Sequence, residues 1–154
     1  GRTPAAPLSP IVRGAAQFVR DFNALGGGPA VSFVIDVSES MWVRMPPAAL
    51  ERALVNLFIN ASEAARRASC DSVRIEVTAK AGHNSATITV RDDGPGISAA
   101  ALPQIFEPGY SGAPSGTGLG LHIVGKYIEL MNGQIDFVSV LENGTEFIIK
   151  FNPS

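Results

Sequence analysis

The chain has 154 residues, is 45% hydrophobic and carries a formal charge of −2, with 12 Lys and Arg against 14 Asp and Glu. That is enough for one domain with its own core, and the scattered Lys and Arg give no basic face for nucleic acid. No run of about eighteen apolar residues would span a membrane, and a single cysteine, Cys70, excludes an internal disulfide and fits a reducing compartment.

Residues 1–10 are rich in Pro and Ala without an apolar signal core and read as a linker or tag remnant, so the domain is set at 11–154. Ile11, Ala15, Phe18, Val19 and Phe22 recur at helical spacing, which predicts a helix over 11–25 stopped by Gly26–Gly28. Val31–Val37 is apolar and β-branched, a strand, and Trp42–Met45 a short one. Pro46 and Pro47 suit the first turn of a helix that runs to about Ala68, with Leu50, Ala53, Leu54, Leu57, Phe58 and Ala61 on one side. Ser72–Ala79 and Ala86–Arg91 alternate apolar and polar residues and form a hairpin. Residues 94–116 are mostly loop, with one helical turn near Ala100–Phe106. Leu119–Met131 is a helix with Gly133 as its C-cap, and Gln134–Val140 and Thr145–Phe151 form a second hairpin. Alternating helices and hairpins predict an α/β two-layer sandwich (α+β), with helices on one face of a mixed, largely antiparallel sheet. Trp42, Phe58, Phe137 and Phe147 are expected in the core. His83 reads as a solvated turn residue and His122 as a helix-face residue.

Four segments carry polar chemistry. In the long helix Asn56, Asn60, Glu63 and Arg67 fall at i, i+4, i+7 and i+11, one stripe beside the apolar face. Each Asn costs a helix ~0.5–0.7 kcal/mol relative to Ala, and a carboxamide oxygen is a hard neutral ligand suited to Mg²⁺; a solvated polar stripe is the plainer alternative. Asp92-Asp93-Gly94-Pro95-Gly96 follows a strand. It is either a simple turn or a carboxylate that accepts a hydrogen bond from an exocyclic amine, with glycines that let backbone approach a flat ring. The two carboxylates, on adjacent residues, should point apart. Glu107–Ser115 has the composition of a lid, with Phe106 at its edge. Gly116-Thr117-Gly118-Leu119-Gly120-Leu121 opens a helix, where unpaired amides and the helix dipole favour phosphate.

Taken together, in this order, the four segments resemble the catalytic ATP-binding domain of sensor histidine kinases, part of a superfamily shared with gyrase-type topoisomerases and mismatch-repair ATPases. Asn56–Ala64 matches the N box, Asp92–Ile97 the first glycine box, Ile105–Pro108 the F box and Gly116–Leu121 the second glycine box; Asn132-Gly133 and Gly144–Phe147 fit the closing pattern. The resemblance implies ATP and Mg²⁺ as cofactors. Asn60 would coordinate the metal and Asn56 would position the γ-phosphate. Hydrolytic relatives carry a Glu where Asn56 stands, so the resemblance implies phosphotransfer over hydrolysis. Asp92 would read the adenine amine. Gly94, Gly96 and Ile97 would line the ring, with Thr145 nearby and Phe106 at the lid. Gly116, Thr117, Gly118, Leu119, Gly120 and Leu121 would present amides to phosphates, and Glu63 and Arg66 would lie near ribose and phosphates.

Neither His83 nor His122 sits in a His-Glu acceptor motif. The resemblance therefore implies a fragment that donates the γ-phosphate to a His on a separate dimerisation domain of the same kinase, with a response regulator downstream. It implies a cytoplasmic location, in a parent that can be membrane-anchored, without nucleic acid or direct membrane contact. A Ser protein kinase of the anti-sigma-factor type and a degenerate nucleotide-sensing or interaction domain are the alternatives.

Overall fold

The computed structural model describes residues 4–82, 85–96, 120–139 and 143–151. Five strands form one sheet: β2 (Ala30–Asp36), β4 (Ser72–Ala81), β5 (Ala86–Asp92), β6 (Gln134–Ser139) and β7 (Thr145–Phe151), in the order β2-β4-β5-β7-β6. β2 and β4 run parallel and every other pair is antiparallel. Three helices, α1 (Leu8–Gly26), α2 (Pro47–Arg67) and α3 (Gly120–Leu130), pack on one face, with α2 in contact with both of the others. This is the mixed two-layer architecture that the alternation of helices and hairpins predicts.

The sheet's two faces follow from strand periodicity. In β5 Ala86, Ile88, Val90 and Asp92 are buried, and in β7 Thr145, Phe147, Ile149 and Phe151. Most of these join the core beneath Leu50, Leu54, Leu57 and Phe58 of α2. The outer face carries Thr87, Thr89, Arg91, Glu146 and Lys150, with Val34 and Val138 exposed beside them. Phe58 is fully buried and meets Phe33 edge to face at 4.9 Å between centroids.

Several local expectations are corrected. Helix α1 begins at Leu8, not Ile11, and Ala6–Pro7 (β1) pairs with Trp42–Val43 (β3). Leu8 is fully buried and its amide donates to the Met41 carbonyl, so part of the stretch read as linker packs into the core. Pro10 is no obstacle, because the first-turn amides of a helix have no intrahelical acceptor. Phe18 and Phe22 share the helical period but are 53% and 55% exposed, stacked on each other; the buried side of α1 runs through Ile11, Val12, Ala15, Ala16 and Val19. Trp42 is 55% exposed rather than core, since its neighbour Val43 takes the inward position of the two-residue strand. At the end of α3 the left-handed residue is Asn132 (φ 59°), with the Gly133 amide reaching back to the Ile128 carbonyl at 2.9 Å. Gly133 is small for another reason: a Cβ there would lie 3.0 Å from the Lys150 carbonyl oxygen.

Candidate functional site

Topology gathers most of the described candidates at one end of the sheet. β5 ends at Asp92, opposite Ile75 near the start of β4 and Thr145 at the start of β7. β4 begins five residues after α2 ends, which brings the C-terminal half of α2 to this end. The Asn23 side chain of α1 donates to the Ser62 hydroxyl and to the Pro29 carbonyl, tying α1, α2 and the start of β2 together here. α3 joins β6 through three residues at the far end, so its first residue, Gly120, points back toward Asp92.

Asp92 is the residue with unusual electrostatics. Its side chain lies on the helix-covered face and is only 9% exposed. Burial pushes its carboxyl up to about 6; the Gly94 amide pulls it down, the Asp93 charge raises it, and the Thr145 amide pulls it down again. The Gly94 amide donates to Asp92 Oδ1 at 2.9 Å. Two amides thus aim one buried carboxylate, leaving further lone pairs for an outside donor. Asp93 points away, as expected of adjacent strand residues: its Oδ1 accepts the Arg74 amide at 2.8 Å, and its own amide donates to the Arg74 carbonyl at 3.2 Å. It fastens the turn to β4, a task that the sequence reading did not assign.

On α2, Asn56 and Asn60 are half-buried on the side away from the apolar face, while Glu63 and Arg66 are exposed. Neither carboxamide is engaged by another side chain among the described residues. A groove of about 510 Å³ borders Asn56 along the outward side of α2, lined also by Phe18, Arg52, Val55, Ile123 and Tyr127. Among the described residues no group of three His, Cys, Asp or Glu side chains could hold a metal ion. The carboxamide of Asn60 is a hard, neutral oxygen donor of the kind that suits Mg²⁺. Leu121 is buried in α3. Ile97, Phe106, Gly116, Thr117, Gly118 and Leu119, the lid, the helical turn near Ala100 and His83 lie outside the described residues.

Gly96 adopts a left-handed φ of 76° at the end of the turn. Gly144, read from sequence as part of a hairpin turn and of the family's closing pattern, has φ 86° and lies against the Asp92 backbone. A Cβ on Gly94 would meet Asp92 Oδ1 at 2.9 Å, so a side chain there would have to displace the carboxylate.

The chain and its fold have known counterparts. Residues 45–154 match the family described as histidine kinase-, DNA gyrase B- and HSP90-like ATPase. The chain is 36% identical over 107 residues to the sensor histidine kinase ZraS of Salmonella typhimurium, covering 70% of this chain and 22% of that protein. It is 34% identical over 101 residues to sporulation kinase B of Bacillus subtilis, covering 66% of this chain and 23% of that protein. The chain thus spans about a fifth of the length of these relatives. Among solved structures it is similar to the catalytic domain of histidine kinase ThkA (TM-score 0.80, 25% identity, 97% of this chain and 95% of that one). The mycobacterial sensor histidine kinase MprB has the same fold (TM-score 0.79, 21% identity, 97% of each chain). The chain belongs to the histidine kinase-, DNA gyrase B- and HSP90-like ATPase family, as a domain of the kind found in sensor histidine kinases.

Proposed function

We propose that this domain binds Mg²⁺-ATP across the end of its sheet and donates the γ-phosphate to a His on a separate helical dimerisation domain, from which a response regulator takes it. The observation that carries the reading is Asp92: a buried carboxylate aimed by the Gly94 and Thr145 amides, at the sheet end that also receives the second half of α2. A carboxylate there accepts a hydrogen bond from the adenine amine and repels the carbonyl oxygen of guanine, which gives base selection. The backbone of Gly94 and Gly96 lets the ring approach closely.

At the other end of the nucleotide, Asn60 would hold the magnesium ion, which neutralises phosphate charge. Asn56 lies one helical turn before Asn60 and would orient the γ-phosphate. A carboxamide takes no proton from water near neutral pH, so Asn56 does not serve as a general base for hydrolysis. It borders the solvent-connected groove along α2, which supports the approach of an acceptor side chain from that direction. Transfer then depends on positioning and charge neutralisation rather than on covalent chemistry by the domain. The amides of Gly116–Leu121, at the head of α3, would cradle the phosphates, with Glu63 and Arg66 beside the ribose and phosphates.

Incubating the domain with γ-labelled ATP and isolated histidine hairpin domains tests this. An acid-labile phosphoryl product on the hairpin is expected, lost in Asn56→Ala and Asn60→Ala. An acid-stable product or no transfer to any hairpin would contradict the reading.

A further inference from the structure

We propose that Gly144 is a positioning residue for base recognition: having no side chain, it lets the start of β7 close on the Asp92–Asp93 turn, which brings the Thr145 amide to the Asp92 carboxylate. The inference rests on the reading of Asp92 as the adenine acceptor and names a residue outside the nucleotide's own contacts.

Three observations converge. Asp92 and Thr145 are directly opposite in the β5–β7 ladder, so Gly144 sits one residue beyond that pair. Gly144 is buried, with φ 86°, a conformation that L side chains rarely adopt. A Cβ at this position would fall inside contact distance of the Asp92 carbonyl oxygen, 3.0 Å from its carbonyl carbon and 3.3 Å from the Asp93 Cα. All three are backbone atoms, so no rotamer change relieves the collision.

The turn cannot easily yield, because the two Asp93–Arg74 hydrogen bonds, at 2.8 and 3.2 Å, hold it to β4 on the opposite side. The strand that moves is therefore β7. Its displacement withdraws the Thr145 amide from the Asp92 carboxylate, one of the two amides that aim it. Displacing a recognition group by about 1 Å can cost about a hundredfold in function.

The test compares ATP with inosine triphosphate, which carries a carbonyl oxygen in place of the 6-amine. Binding of both is measured for wild type, Gly144→Ala, Gly133→Ala and Asp92→Asn. Gly133→Ala is the control for general strain, since its Cβ would press on the Lys150 carbonyl near the far end of β7. We expect Gly144→Ala to weaken ATP binding at least about tenfold and to shrink the ATP-over-inosine preference, and Gly133→Ala to keep that preference. A folded Gly144→Ala domain with wild-type preference would overturn the inference while leaving the Asp92 reading intact. An Asp92→Asn domain with wild-type preference would instead remove the reading on which it rests. If Gly144→Ala does not fold, adenosine titration of the wild-type domain by amide NMR decides. The Gly144 and Thr145 amides should shift with the Gly94 amide at one Kd. A Gly94 response without them contradicts the proposal.

Discussion

Asp92 is costly to the empty domain. Its carboxyl titrates near 4 when unfolded and is pushed up to about 6 when folded. Between those values the folded state holds the proton more tightly. Asp92's contribution to stability is therefore most favourable below about pH 4 and is lost as pH rises through about 6, by about 3 kcal/mol once ionisation is complete. Asp92→Asn keeps an oxygen for the Gly94 amide and removes the charge. We expect this variant to be more stable than wild type at pH 7, by up to about 3 kcal/mol, with the difference vanishing near pH 4. Urea unfolding across this range checks it. The same substitution should weaken ATP binding ~10–100-fold, the loss of a charge-assisted hydrogen bond. If Asp92 reads the adenine amine as proposed, the amine donates to the ionised form, and ATP affinity of the wild type should fall as pH drops below about 6, approaching tenfold per unit. Calorimetric titration at several pH values reads this directly. Asp93→Asn keeps the acceptor for the Arg74 amide while removing a charge that raises Asp92, so its affinity profile should shift to lower pH.

At the scale of elements, the sequence was most legible where periodicity is long. β4, β5 and the apolar side of α2 match their predicted faces, because a long run leaves only one phase that buries its apolar residues. Short or terminal pieces were not legible. Trp42 belongs to a two-residue strand whose phase is set by Val43 and the core beneath it, not by local pattern. Residues 6–10 look like a linker because proline and alanine dominate, yet tertiary contacts bury Leu8. Leu8→Ala is therefore expected to cost ~2–5 kcal/mol, as a core truncation does. A linker residue would cost less than about 0.5 kcal/mol, and denaturant unfolding separates the two.

For the molecule as a whole, the candidate residues could be named from the chain, while their assembly could not. Asn56, Asn60 and Asp92 stand out only in combination, since alone each segment reads equally as a solvated stripe or a simple turn. That Asp92 ends at the same edge as the last turns of α2, the head of α3 and Thr145 follows only from strand order and short connections. Gly144 was named in the closing pattern, but its role was not legible for the same reason: a glycine in a hairpin loop looks alike whether it serves the turn or makes room for a carbonyl on another strand. The layout also separates the work. Under the proposed function, the domain would carry the nucleotide and a distinct acceptor would complete the reaction.

Calorimetric titration of Mg²⁺-ATP and of adenosine into wild type, Asn60→Ala and Asp92→Asn tests most directly whether one nucleotide is gripped at both ends. Asn60→Ala should weaken Mg²⁺-ATP about tenfold or more and leave adenosine within about twofold, whereas Asp92→Asn should weaken both. Adenosine binding that is indifferent to Asp92→Asn, or Mg²⁺-ATP binding that is indifferent to Asn60→Ala, would contradict the account.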